Sequence, residues 1–216
     1  MKAQTRQENW DRFWKSNEGS RFTRKSWSKI RMTALLDGML KPGLKVLDAG
    51  CGSGFFSAYF LSRGCEVYTL DYSAEALEMA RRKTDGKCAA YLQENLLDPA
   101  FGARYAGKFD LVFTDGLFEH FSSEDQHRIL ENFRKTKKAE GLVTTFVPNR
   151  FSWWEFVRPL VMPGIHEVPF TPSSILSLHQ DMKIVNRGGL NVLPVGLSPE
   201  KLLGSRFGMS LYCFAQ

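Results

Sequence analysis

Three glycines at alternate positions, Gly50, Gly52 and Gly54, fall within the stretch KVLDAGCGSGFF, which runs from Lys45 to Phe56. A short apolar run ahead of them ends in an acid, Asp48. Glycine has no Cβ, so such a loop lets backbone approach a ligand closely. A helix that starts there adds unpaired N–H donors. The dinucleotide fingerprint is GxGxxG. Here the spacing is GxGxG, and Phe55 stands where the last fingerprint glycine belongs, which argues against NAD or FAD. No Gly-Lys-Ser/Thr follows, so a Walker phosphate loop is absent as well. A second acid, Asp71, lies 21 residues beyond Gly50, at the end of CEVYTLD. A carboxylate at that place accepts both hydroxyls of a ribose. The spacing points to a ligand with a ribose and no pyrophosphate.

These residues need elements that hold them together. LKVLDAG reads as a buried strand, Phe55 to Leu61 as a helix, and CEVYTLD as a second strand. Ser73 is a suitable N-cap for SAEALEMARRK, with Glu75 near the positive helix end. CAAYLQ is a third strand and FDLVFTDG, 109–116, a fourth. SSEDQHRILENFRKTKK has acids first and bases last, as a helix dipole favours. EGLVTTFVP, 140–148, is the fifth strand. Strands alternating with helices predict an α/β fold, a doubly wound and mostly parallel sheet covered on both faces. MKIVNRGG and GMSLYCFAQ read as two closing strands, the last antiparallel at the end of the sheet, with a Gly/Pro-punctuated loop at 188–207 between them. Residues 9–40 look helical in two pieces broken near Gly19, with Trp10, Phe13 and Trp14 on one face of the first. The second piece offers Ile30, Leu35, Leu36 and Leu40 for burial.

The chain has 216 residues, which suits a single domain, 1–216, with a helical cap at 1–41 and an insert at 149–170. Its net charge of +6 is uneven: residues 1–44 hold ten Lys/Arg against four Asp/Glu, and the remainder is neutral. A basic segment of this kind attracts a carboxylate, a phosphate, RNA or an anionic membrane, or is simply a solvated helix. The polar N-terminus does not read as a signal peptide, and no apolar run reaches spanning length. Cys51, Cys65, Cys88 and Cys213 form no CxxC pair and read as reduced thiols, so the expected location is cytoplasmic.

LDAGCGSG together with TLDYS resembles the class I, Rossmann-like S-adenosylmethionine-dependent methyltransferases of the small-molecule type 11 kind, over roughly residues 30–150. The resemblance implies a seven-stranded sheet whose last strand is antiparallel, and S-adenosylmethionine as cofactor, with S-adenosylhomocysteine as product. By the same resemblance Asp48 and the backbone of Gly50, Cys51, Gly52 and Gly54 line the methionine part. Asp71 takes the ribose diol, Tyr72 packs beside the adenine, and Asn95 and the Leu96 N–H meet its polar edge. Thr114 and Asp115 approach from the fourth strand. Arg31 reaches for the methionine carboxylate or is a surface arginine. His120, in FEHF, stands where the family often carries a histidine and is the candidate general base.

Asp115, Glu119 and His120 have no assured ligand geometry, so no metal is expected. His127 and His179 fall within helical patterns and read as structural. The insert, FSWWEFVRPLVMPGIHEVPFTP, brings Trp153, Trp154 and His166. With Trp10 and Trp14 it suits a small apolar or aromatic acceptor, or one taken from a membrane surface. The same aromatics also suit plain core or dimer packing. The expected activity is in-line methyl transfer to oxygen or nitrogen. The rival readings are an RNA or protein methyltransferase guided by the basic segment, and a cofactor-binding interaction module without catalysis. TDGLFEHF lacks the Asn/Asp-Pro-Pro-aromatic run of nucleobase amino methylation, which argues against nucleic acid as the partner.

Overall fold

The computed structural model describes residues 7–16, 25–161 and 167–216. Its elements, in chain order, begin with helices α1 (Gln7–Ser16) and α2 (Trp27–Asp37). Then come β1 (Lys45–Ala49), α3 (Phe55–Ser62), β2 (Glu66–Asp71), α4 (Ala74–Lys83) and β3 (Ala90–Gln93). They are followed by α5 (Pro99–Arg104), β4 (Phe109–Asp115), a single 3-10 turn (Phe118–His120), α6 (Ser123–Thr136) and β5 (Lys137–Pro148). The rest is α7 (Trp154–Val161), α8 (Pro172–Leu178), β6 (Ile184–Leu190), α9 (Glu200–Phe207) and β7 (Ser210–Ala215).

The seven strands form one sheet in the order β3-β2-β1-β4-β5-β7-β6. β1 pairs in parallel with β2 and β4, so Asp48 stands level with Thr69 on one side and Phe113 on the other. The strand order reverses between β1 and β4. In such sheets the crevice beyond the carboxyl ends of the strands is where ligands bind. Asp48, Asp71 and Asp115 therefore converge because each lies at the carboxyl end of one of three neighbouring strands.

The interior strands are near-continuous apolar runs because both faces are covered. Phe56, Phe60, Phe113, Phe146 and Phe214 fill one face beneath Met32 and Leu36 of α2. Phe101, Phe109, Ile129, Phe133 and Leu178 fill the other. His179 is fully buried there, hydrogen-bonded to Thr145 Oγ1 at 3.0 Å and the Ile175 carbonyl at 2.9 Å, and His127 bonds the Ser123 carbonyl one turn back. Both are structural, as their helical setting suggested. No helix among the described residues is long and apolar enough to cross a membrane.

Two expectations change. β7 is antiparallel as expected, but it is inserted between β5 and β6 and not placed at the margin; β6 is the outer strand. The expected loop at 188–207 holds the end of β6 and the helix α9. Gly189 and Gly204 allow that helix to lie on the strand: a Cβ on Gly189 would stand 2.0 Å from the Gly204 carbonyl oxygen. The glycines that looked like loop punctuation are a packing contact. Gly19 lies outside the described residues.

Candidate functional site

A cleft of about 870 Å³ opens at the carboxyl ends of the strands. Asp48, Gly50, Cys51, Gly52, Asp71, Tyr72, Asn95, Leu96 and Asp115 all line it. Trp10, Trp14, His120, Trp153 and Trp154 line the same cavity. His166 lies outside the described residues.

The glycine loop is tied to the neighbouring strand. Gly50 N and Cys51 N both donate to the Leu70 carbonyl, at 2.9 and 3.0 Å. Asp71 completes the clamp: one carboxylate oxygen accepts from Gly52 N at 3.0 Å and the other from Ser73 N at 2.9 Å. Ser73 in turn caps α4 by accepting from Ala76 N. Asp48 is buried and accepts from Ser57 Oγ at 2.5 Å; Thr69 donates to that serine at 3.0 Å.

Three acids so close in a sheltered crevice are hard to ionise together. Burial, opposed by the Ser57 hydrogen bond and reinforced by the charges of Asp115 and Asp71, pushes the Asp48 carboxyl up to about 7. Burial pushes Asp71 up to about 6 against its backbone hydrogen bonds, and Asp115 to about 6 against the charge of Lys29. Lys29 answers them. Burial lowers its ammonium to about 8 although Asp115 raises it, and it sits 4.4 Å over the Phe55 ring.

Three residues assigned from the sequence are not among those that line the cavity. Arg31 does not line the cavity. Its guanidinium pairs with Glu200 at 2.8 Å and bonds Asn191 Oδ1 and the Val195 carbonyl, so it anchors α9 and the loop before it. Two residues along a helix turn a side chain by about 200°, and it is Lys29 that faces the cleft. Thr114 is fully buried outside the cavity lining, and its hydroxyl has no hydrogen-bond partner among the described residues. Gly54 serves packing: its φ is +73°, and a Cβ there would stand 2.5 Å from the Ala80 Cα of α4.

At the other end of the cleft lies a polar group with an aromatic surround. His120 packs edge-on against Trp10, ring centres 4.6 Å apart, and its Nε2 is 3.9 Å from Glu119 Oε1. Burial, with the nearby charge of Glu167, pushes the Glu119 carboxyl well above its usual range. Glu167 is itself raised to about 7 by burial, although Arg158 beside it pulls the other way. Glu119, His120 and Glu167 offer ligand atoms that lie within 4.8 Å of one another. This grouping differs from the trio weighed on the sequence, because the third group is Glu167 and not Asp115. Nothing local in GIHEVPF signals that; the backbone bond from Val168 N to the Glu119 carbonyl, 2.8 Å, draws the two segments together.

Helix α1 covers this cleft. The Trp14 ring lies on Gly52, where a Cβ would come within 2.5 Å of Trp14 Cζ2. Asp11 bonds Ser73 Oγ at the cap of α4.

The family described as "Methyltransferase domain" matches residues 46–141. A curated relative, the ubiquinone biosynthesis O-methyltransferase of Proteus mirabilis, is 31% identical over 71% of this chain and 66% of its own length. Its Erwinia tasmaniensis counterpart is 32% identical over 58% of this chain and 54% of its own length. The chain thus spans less than two thirds of the curated relatives it matches. Among solved structures, a Haloferax volcanii methyltransferase in complex with its Trm112 activator superposes with a TM-score of 0.75 at 16% identity, covering 95% of this chain and 96% of that one.

Proposed function

Because the chain belongs to the class I, Rossmann-like S-adenosylmethionine-dependent methyltransferases, we propose that it methylates an oxygen of a small apolar or aromatic molecule. The observation that carries this reading is one shared cavity. The cleft that holds Asp48, Asp71 and the glycine loop continues to Trp10, Phe121, Trp153 and Trp154. Indoles and a phenyl ring suit a flat, poorly soluble acceptor. The name of the Proteus mirabilis relative supports oxygen over nitrogen as the methylated atom. The basic surplus of residues 1–44 is partly absorbed inside the protein, Lys29 in the cleft and Arg31 on Glu200, which weakens the case for a nucleic-acid footprint.

In this reading Asp71 takes the ribose diol, Tyr72, Asn95 and Leu96 frame the adenine, and Lys29 replaces Arg31 as the cation for the methionine carboxylate. The donor sulfonium is already activated, so the residues mainly align acceptor oxygen, methyl and sulfur in one line. The acceptor proton is drawn off at the Glu119–His120 end. The test is transfer of a labelled methyl group to a panel of phenols, aliphatic amines, bulk RNA and protein. Label in the phenols is expected. Label confined to RNA or protein would overturn the small-molecule assignment.

The cofactor reading has its own check. S-adenosylhomocysteine at about 100 times Kd should add about 2.7 kcal/mol, or roughly 5–10 °C in Tm for a chain of this size, whereas NAD should add nothing. The shift should depend on pH. A carboxyl whose folded value is raised contributes stability that is full below its unfolded value, near 3.8, and is lost as pH rises through 6 to 7. The ligand-free protein therefore loses this contribution over that window. Ligand binding needs Asp71 ionised, so affinity should be flat above pH 7.5 and fall toward about tenfold per unit below pH 6. Equal Tm shifts at pH 5.5 and 8 would contradict this.

A further inference from the structure

We propose that Glu119, His120 and Glu167 form a binding site for one divalent cation at the acceptor end of the cleft. The donors are two carboxylate oxygens and an imidazole nitrogen, all within 4.8 Å of one another. Oxygen and nitrogen ligands stand about 2.0–2.2 Å from a small divalent cation such as Zn²⁺, which places two of them about 3.3–3.6 Å apart in a tetrahedral site. With His120 Nε2 3.9 Å from Glu119 Oε1, the grouping reaches that spacing by side-chain rotations that close the ligand atoms by about an ångström.

A second observation points the same way. The Glu119 side chain is only 3% exposed, and its Oε2 has no hydrogen-bond partner among the described residues. A buried carboxylate oxygen is costly unless a donor or a cation meets it. Glu119 and Glu167 are held in place by the Val168 N to Glu119 carbonyl bond and, from the outer side, by Arg158, whose Nε is 3.4 Å from Glu167 Oε2 and whose Nη2 is 3.4 Å from Glu155 Oε2. Trp10, edge-on to His120, fixes the imidazole plane. Arg158 engages one oxygen of Glu167, so that carboxylate bridges guanidinium and cation. Mixed carboxylate and imidazole donors suit Mn²⁺ or Zn²⁺. All three side chains line the cleft, so coordination positions left over face the acceptor lobe. There the cation would hold an acceptor oxygen and lower the pKa of its hydroxyl, with His120 a ligand and not a free base. That role rests on the methyl-transfer reading; the binding site does not.

The test uses the full chain, stripped with chelator and dialysed against Mn²⁺ or Zn²⁺. Metal per chain is measured by mass spectrometry, and Mn²⁺ affinity by electron paramagnetic resonance. One equivalent per chain is expected. Glu167→Gln and Glu119→Gln, which keep shape and remove charge, should each lower Mn²⁺ affinity at least tenfold; His120→Asn is the further variant if either misfolds. Calorimetric titration with S-adenosylhomocysteine on the same samples separates the two readings. Ligand binding with no metal uptake above that of the Glu119→Gln/Glu167→Gln double variant would overturn the site and leave the cofactor reading intact. Metal uptake without ligand binding would uphold the site and remove the cofactor reading. Mn²⁺ affinity unchanged in the single variants would also overturn the site.

Discussion

Asp71→Ala should weaken S-adenosylhomocysteine binding by roughly 10–1,000-fold and lower the melting temperature as well. Two hydrogen bonds from a ribose to a carboxylate are each worth about 1.5–3 kcal/mol. Water restores part of that in the variant, and each decade of affinity is about 1.4 kcal/mol. The stability loss has a separate origin. Each Asp71 oxygen already holds a backbone N–H, of Gly52 and of Ser73. Removing the carboxylate leaves those donors short of a partner, at about 1–3 kcal/mol for a buried group. Asp71→Asn keeps one acceptor oxygen and should lose less of both. Calorimetric titration and a melting curve on each variant separate the effects. A variant that melts lower yet binds the ligand like the parent would reduce Asp71 to a tether of the glycine loop.

Gly54→Ala should destabilise the fold by about 2–5 kcal/mol. An L-residue in the left-handed region costs about 1–2 kcal/mol, and forcing a methyl into a filled contact costs about 1–3. Both apply, since φ is +73° and the new Cβ would meet Ala80 backbone at 2.5 Å and its Cβ at 2.7 Å. Gly86 supplies the comparison. Its φ is +69°, but nothing lies within 4 Å of a Cβ there. Gly86→Ala should therefore cost only about 1–2 kcal/mol, the backbone part. Chemical denaturation of the two variants measures the difference. Equal losses would mean that the close approach of α3 to α4 contributes nothing.

The strands that build the site were legible because they are buried on both faces. KVLDA, EVYTLD and FDLVFTD are compact apolar runs, each with the acid that reaches the cleft at or next to its last residue. Ser73 was legible too, as a hydroxyl ahead of a helical pattern. What escaped was set by partners remote in sequence. Lys29 and Arg31 share a helix and a charge, and only the packing of α2 decides which one faces the crevice. Glu167 reaches Glu119 through a backbone bond between distant segments, which leaves no periodic trace. The helix α9 was hidden by Pro199 and Gly204, residues that read as breakers until a strand is laid against them. α8 could have been found: Thr171, Pro172 and Ser174 spell a capped start, and both halves of the capping box form.

The position of α1 bears on how often the proposed methyl transfer could turn over. Its Trp14 ring rests on Gly52, its Asp11 reaches Ser73, and its Trp10 meets His120. One short helix thus touches the glycine loop, the cap of α4 and His120 at once. In the proposed reaction spent and fresh cofactor differ by a methyl group and a charge, and both would pass beneath it. Two clocks then run in series, the displacement at sulfur and the lifting of this helix, and the slower sets the pace. A faster nucleophile would gain nothing where the second clock governs. The indoles that close the cleft also absorb and emit, so the traffic carries its own optical signal.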